Sequence, residues 1–322
     1  MQRLNILIWH IHGSYLTAIT QTEHNWYVPV KAGHPEGYCG RGVDSTMPDY
    51  VREIPAEEVK NLSLDLIIFQ TPQNYLQDQH EILTEEQRRL PKIYLQHNTP
   101  EPHPTESRHV VADDPDVLLV HVTHFNRLMW DNGKAPTTVI EHSVMIDPSA
   151  RYSGHREMGI TVVNNIQHRG RNTGFDLFEH ARDRVPLTIV GMGAAEIGGL
   201  DGIHYRHLHR TVAEYRFLYS PMRYTSLPLS VIEAFTMGMP VVALATTELP
   251  TVIENGVHGF LSNDSDELVD HMNFLLKNPA EAKRMGENAR KLAEERFSLP
   301  RFVRDWNRAF AEVTALSAAV RP

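Results

Sequence analysis

The sequence predicts an α/β protein of two domains, and three observations carry that reading. Short apolar runs alternate with polar connectors through the first half, as parallel strands joined by crossovers do. A second alternating set begins after Glu141–Gly154, a stretch of mixed polarity without apolar periodicity that reads as a linker. The chain has 322 residues, enough for two separate cores.

Taken in order, the apolar runs predict strands at Leu4–Trp9, Trp26–Val30, Leu64–Phe69, Ile93–Gln96, Val117–Val122 and Thr137–Glu141. The Gly/Pro/Asp-rich segment between Val30 and Asn61 reads as a long loop. Beyond the linker come a strand at Ile160–Ile166, a helix at Gly174–Ala181 and a strand at Leu187–Val190. The stretch from Ser220 to Leu261 organises the rest and reads as loop, helix, turn, strand, loop, helix. Ser226 and Pro228 are helix-start signals, Val231, Ile232, Ala234 and Phe235 form an apolar face, and Gly238 and Pro240 end the helix. Val241–Ala245 follows as a strand buried on both faces. The opening of such a helix presents free N–H groups and a partial positive charge, a natural seat for phosphate, with Glu233 lying further in. Pro279–Arg296 is amphipathic, with Ala282, Met285, Ala289 and Leu292 on one face, and a last helix carries Phe302, Trp306 and Phe310 at a spacing of four.

Composition narrows the function. The chain is 41% hydrophobic and 22% charged, with mean hydropathy −0.35, net charge −9 and pI about 6.1. That balance argues against nucleic acid as a partner while leaving a local basic patch free to meet a membrane. One cysteine, Cys39, rules out an internal disulfide framework and fits a reducing compartment. The first residues enter a strand directly, with no signal-peptide pattern, and no apolar run is long enough to span a bilayer. A soluble, cytoplasmic protein is expected. Nineteen histidines invite a metal reading, but His10/His12 and His207/His209 lack the i, i+4 helical spacing of a metal pair, so strand-end and loop histidines are expected and no metal.

Several local patterns bear on chemistry. Gly191-Met192-Gly193 follows a strand and could turn around phosphate, but Glu196 stands where a dinucleotide fingerprint needs its third glycine. Arg169 and Arg171 lie just past a strand end, where doubly wound sheets bind ligands, and guanidinium groups suit a diphosphate. His204–Arg210 is a basic, aromatic patch that reads equally as a nucleobase or phosphate contact and as an exposed connector. Asp114-Pro115-Asp116 precedes its strand and contains proline, so it reads as a turn rather than a metal pair.

The Ser220–Leu261 stretch resembles the donor-binding signature of the retaining GT-B glycosyltransferases of glycosyltransferase family 4. Leu229, Glu233, Ala234, Gly238, Pro240, Val241, Val242, Ala243, Pro250, Gly256, Gly259, Phe260 and Leu261 match that signature in order. The departures are Thr225 at the first glutamate, Thr247 and Glu248 at two glycines, and Thr251 at the glutamate of the Pro-Glu pair.

The resemblance implies the GT-B form of the α/β class, two Rossmann-like domains facing a central cleft. Residues 1–146 would form the acceptor-side domain, with a terminal helix at 301–322 packing back onto it, and residues 147–300 the nucleotide-sugar domain. It implies transfer of a sugar from a nucleoside diphosphate sugar to a glycan, lipid-linked or small-molecule acceptor, with retention and with neither metal nor cofactor. His97 would contact the donor, and Gly13 and Ser14 occupy the place of a Gly-rich loop. Arg169 or Arg171 would neutralise the leaving group, because His168 and Thr173 stand at the family's arginine and lysine positions. Gly191 and Gly193, Thr225, and Pro228, Leu229 and Ser230 at the helix opening would line the nucleotide, and Glu233 would hold ribose hydroxyls. Two other readings are a catalytically silent binding or partner subunit, motivated by Thr225, and an epimerase or hydrolase.

Overall fold

The computed structural model describes residues 3–42 and 47–320. The chain divides into two compact units, Met1–Ser143 with Leu299–Pro322, and Val144–Ser298. The first unit holds seven strands: β1 (Asn5–Ile8), β2 (Asn25–Val30), β3 (Val51–Pro55), β4 (Leu66–Phe69), β5 (Lys92–Gln96), β6 (Val117–His121) and β7 (Thr137–Val139). Every pairing is parallel, in the order β3-β2-β1-β4-β5-β6-β7. Short helices α1 (Gly13–Ile19), α2 (Gln79–Ile82) and α3 (His124–Met129) lie among the connections. Trp9, Phe69 and Tyr94 fill one apolar cluster, and Tyr15, Trp26 and Ile68 belong to the other.

The terminal helix, Leu299–Val320, completes that second cluster with Phe302, Trp306 and Phe310, all fully buried. The spacing of four places the three rings on one stripe. Trp306 Nε1 donates to Tyr15 Oη at 3.1 Å, which satisfies the one polar atom the indole buries. Arg301 donates to the carbonyls of Glu141 and His142 at 2.9 and 2.6 Å, tying the start of this helix to the end of the first sheet's chain segment.

The segment between Val30 and Asn61 is not wholly a loop. It contains β3 and a short 3-10 turn, Ala56–Asn61. β3 is an edge strand with exposed Arg52 and Glu53 and a proline at its end, features that protect an edge and also hide a strand behind loop-like composition. Residues 43–46 of that segment lie outside the described residues, as do the last two of the expected terminal helix.

The second unit has five strands, again all parallel: β8 (Arg156–Val162), β9 (Leu187–Val190), β10 (Tyr215–Ser220), β11 (Val241–Leu244) and β12 (Gly259–Ser262), in the order β12-β11-β10-β8-β9. Its helices are α4 (Ile166–Thr173), α5 (Phe175–Arg182), α6 (Tyr205–Val212), α7 (Leu229–Met237), α8 (Ser265–Lys277) and α9 (Pro279–Arg296). All four residues of β11 are buried, as a central parallel strand requires.

Three expectations are corrected here. The strand expected to run to Ile166 ends at Val162, because Asn164 and Asn165 turn the chain, Asn165 with φ +52°, and Ile166 opens α4. The His204–Arg210 connector is helical and becomes α6. The helix expected after β11 is only the 3-10 turn Leu249–Thr251. Among the described residues no helix is long and apolar enough to cross a membrane.

Replacing Trp306 by alanine removes a fully buried indole from the first unit. The unfolding free energy of that unit should fall by about 3–5 kcal/mol, read from urea denaturation followed by far-UV circular dichroism.

Candidate functional site at the carboxyl edge of the second sheet

In the second sheet β8 has β9 on one side and β10 on the other, so the connections leaving β8 and β10 diverge. Open α/β sheets bind ligands outside the carboxyl ends of the strands at such a switch point. After β8 come Val163, Asn164, Asn165 and α4, and after β10 comes the loop from Pro221 to Pro228. The two segments are pressed together at Gly174, whose φ is +78° and where an added Cβ would lie 2.0 Å from the Pro221 carbonyl oxygen. Only glycine fits there.

An ion network bridges the same two segments. Arg223 donates to both oxygens of Asp176 at 2.6 and 2.8 Å, and Arg171 donates to Asp176 Oδ2 at 2.7 Å. The hydrogen bonds from Arg223 hold the Asp176 carboxyl below the usual carboxylate range. Arg171 is therefore engaged, whereas the guanidinium of Arg169, also exposed on α4, makes no ion pair or hydrogen bond among the described residues. Neighbouring His168 lies 3.3 Å from Glu196. No sequence motif marks Arg223. Its one visible signal is its position just past the end of β10.

α7 rises from the β10 loop. Pro228 is its N-cap, and Ser226 is buried without capping it. Val231 N–H reaches the Pro228 carbonyl at 3.0 Å, while the N–H groups of Leu229 and Ser230, both half-buried, have no acceptor among the described residues. Those two amides and the helix dipole are unfilled donors at the edge. Thr225 is half-buried in the same loop. Thr247, past the end of β11, has φ +52°, an uncommon and strained conformation for a β-branched residue, and its hydroxyl faces the Ser226 carbonyl at 3.4 Å. One turn into α7, Glu233 is buried, and its Oε1 accepts from Tyr205 Oη at 3.3 Å.

The turn Gly191–Gly193 behaves differently from a phosphate loop. Gly191 N–H goes to the Leu200 carbonyl, Met192 N–H to Asn164 Oδ1 and Gly193 N–H to Asp201 Oδ2, at 3.2, 3.0 and 3.1 Å. All three amides are taken up within the fold. Gly191, with φ +147°, allows close approach to β8, since a Cβ would lie 2.3 Å from the Val163 carbonyl.

The first unit gathers histidines at the carboxyl ends of β1 and β5. His97 is buried, and its ring meets those of His12 and Tyr15 edge-on at 4.2 and 4.8 Å. Gln70 Nε2 donates to the Trp9 carbonyl at 2.6 Å, so Gln70 Oε1 faces His97 Nε2 at 2.9 Å. His97 therefore carries its proton on Nε2 and leaves Nδ1 as an acceptor. Burial pushes His97 well below its ordinary value, and His12 and His142 add to the shift. Gly13 and Ser14 open the seven-residue α1, and a Cβ on Gly13 would lie 3.2 Å from His10 Nε2. The expectation of scattered histidines is thus refined, because His12, His97 and His142 share one cluster around Tyr15. Among the described residues no group of three or more His, Cys, Asp or Glu could hold a metal. Asp114–Asp116 is a turn, with Asp116 N–H on Asp114 Oδ1 at 3.0 Å.

Comparisons with known proteins align with this geometry. Residues 203–292, from the start of α6 into α9, match the family described as Glycosyl transferases group 1. A Haemophilus influenzae protein described as an uncharacterized glycosyltransferase is 29% identical over 89 residues, covering 27% of this chain and 25% of that protein. The trehalose synthase of Pyrococcus horikoshii is 36% identical over 69 residues, covering 21% of this chain and 17% of that protein. The chain thus matches only a minor part of either relative's length. Sucrose-phosphate synthase from Thermosynechococcus elongatus superposes with a TM-score of 0.71 at 15% identity, covering 98% of this chain and 100% of that one. The fold is GT-B. The Anabaena protein HepE, solved with UDP-glucose, has a TM-score of 0.70 at 14% identity, covering 96% and 100%. The GT-B scaffold therefore extends over both units, while the family match lies within the second, where it takes in β10 and α7 but not β8 or α4.

The first unit of this GT-B chain should be acid-labile in a defined window. Burial holds His109 and His142 down to about 3 and His121 to about 4, against an ordinary 6.5. All three stay neutral in the fold but take a proton on unfolding below pH 6.5. Their contribution is complete above 6.5 and is lost as pH falls toward 4 and then 3, at about 1.4 kcal/mol per pH unit for each histidine. Urea titrations between pH 7 and pH 4 should follow that slope, and His142→Gln should flatten it by one proton.

Proposed function

We propose that the chain is a metal-independent, retaining glycosyltransferase of glycosyltransferase family 4, moving a sugar from a nucleoside diphosphate sugar to a glycan, lipid-linked or small-molecule acceptor. One observation carries the reading: the unfilled amides of Leu229 and Ser230 open α7 at the switch point, in the same unit as the uncommitted guanidinium of Arg169 on the β8 side. Helix dipole and arginine together are suited to a departing diphosphate. The HepE complex with UDP-glucose and a pneumococcal O-GlcNAc transferase solved with UDP and GlcNAc support the donor class.

In the proposed step the C1–O bond to the diphosphate breaks, and its electron pair leaves with the diphosphate oxygen. The acceptor oxygen bonds to C1 on the same face, and its proton passes to the departing diphosphate. Arg169, rather than Arg171 with its bond to Asp176, neutralises that leaving group. Pro228 sets the helix opening, Glu233 accepts from ribose hydroxyls, and Thr225 lies against the donor. Gly191 and Gly193 shape the wall without lending their amides. His97, neutral and with Nδ1 as acceptor, is suited to a sugar hydroxyl rather than to phosphate, and Gly13 and Ser14 are assigned to the diphosphate. The domain roles, 1–146 for the acceptor and 147–300 for the donor, and a cytoplasmic or inner-membrane-surface location belong to the same proposal. Thr225 in place of a glutamate favours one rival, a silent binding subunit.

Thermal-shift screening against uridine, guanosine, adenosine and thymidine diphosphates should raise the melting temperature with at least one of them. No stabilisation by any would count against a donor site. With the matching nucleotide sugars, Arg169→Ala should lower kcat roughly 100-fold while the nucleotide still binds. Specific turnover, whether transfer or slow hydrolysis, would remove the silent-subunit reading.

A further inference from the structure

The helix α6 was legible in sequence only as a basic, aromatic patch, and most of its polar side chains face outward. His209 does not. It is 2% exposed, its Nε2 has no hydrogen-bond partner among the described residues, and that atom lies 3.6 Å from Glu233 Oε1, just beyond bonding distance. Tyr205, one turn earlier on α6, meets the His209 ring edge-on at 5.0 Å and donates its hydroxyl to the same Oε1. Glu233 Oε2 has no partner among the described residues. A buried polar nitrogen without a partner is costly, and it is here aimed at a carboxylate whose other oxygen is unused.

We propose that His209, assisted by Tyr205, is a positioning residue that pins Glu233 Oε1 so that Oε2 is presented to the vicinal hydroxyls of a ribonucleoside diphosphate. The inference rests on the donor-site reading above and deepens it by assigning α6 the discrimination between ribose and sugars lacking those hydroxyls. A carboxylate free to rotate would divide its acceptor capacity among water, Tyr205 and ligand. Held through one oxygen, it keeps the other aligned, and a small shift of Glu233 toward α6 on ligand binding would close the 3.6 Å gap to a hydrogen bond.

The test measures, by calorimetry, the affinities of uridine, adenosine and guanosine diphosphates, each paired with its 2′,3′-dideoxy analogue. The intact protein should prefer the ribose form of whichever base it binds by roughly tenfold or more. His209→Leu should bring that ratio to within about threefold while leaving the dideoxy affinity nearly unchanged, and His209→Gln, which keeps an N–H donor, should restore much of it. Tyr205→Phe, a change at a partly exposed residue that removes only the hydroxyl, should lower the ratio less and guards against a folding defect at position 209. Equal weakening of both ligands by His209→Leu, or an unchanged ratio in both variants, would overturn the positioning role while leaving the donor site standing. Failure of the intact protein to bind any of the three pairs would remove the donor site itself, and the inference with it.

Discussion

The parallel pairing of β8 with β10 is the constraint on which the candidate site depends. Two parallel neighbours cannot be joined by a tight turn, so the chain must leave each carboxyl end, cross over and return. Because β9 lies on the far side of β8, the two crossovers part company, and the space between their first turns stays open at the strand ends. What enters that space is then a matter of which residues follow each strand. Here they are an asparagine turn leading into the arginine-bearing α4, and a proline-rich loop leading into α7.

Charge at this edge is divided by geometry rather than by number. Three arginines lie near it, yet Asp176 engages two of them, and the bidentate bond from Arg223 ties the α4–α5 joint to the β10 loop. Such a pair fixes two loops relative to each other and cannot at the same time serve a ligand without giving up a charge-assisted hydrogen bond. Of these three, the guanidinium without a partner among the described residues is that of Arg169. The same logic separates the amides: those of Gly191–Gly193 are consumed by neighbouring carbonyls and side chains, whereas those of Leu229 and Ser230 have no acceptor among the described residues. A glycine-rich turn and a proline-capped helix look equally suited to phosphate in sequence, and hydrogen-bond accounting separates them.

The first unit follows a different economy. Its histidines gather at the carboxyl ends of β1 and β5, yet burial among Tyr15, His12 and His142 keeps His97 neutral, and Gln70 fixes which nitrogen holds the proton. A residue type that suggests a cation in sequence becomes a neutral acceptor in the fold. The terminal helix is a part of this arrangement, since Trp306 bonds to Tyr15 and Arg301 to the carbonyls of Glu141 and His142.

The sequence alone determined the α/β class, most strands, and the helices whose apolar periodicity is strong, because continuous Val/Ile/Leu runs and a spacing of four are local signals that burial merely realises. The Leu229–Met237 helix and its neighbouring strand were legible to within a residue for that reason. Edge strand β3 was not, since its exposed charges and terminal proline resemble a loop, and α6 was not, since its eight residues carry only Leu208 and Val212 as aliphatics among histidines and arginines. The partners of Arg171, the tautomer of His97, the filled amides after β9 and the approach of His209 to Glu233 were decided by tertiary structure alone. Most depend on residues distant in sequence being brought to within about 4 Å of one another, the range in which hydrogen bonds and ion pairs form, and no local pattern encodes that distance.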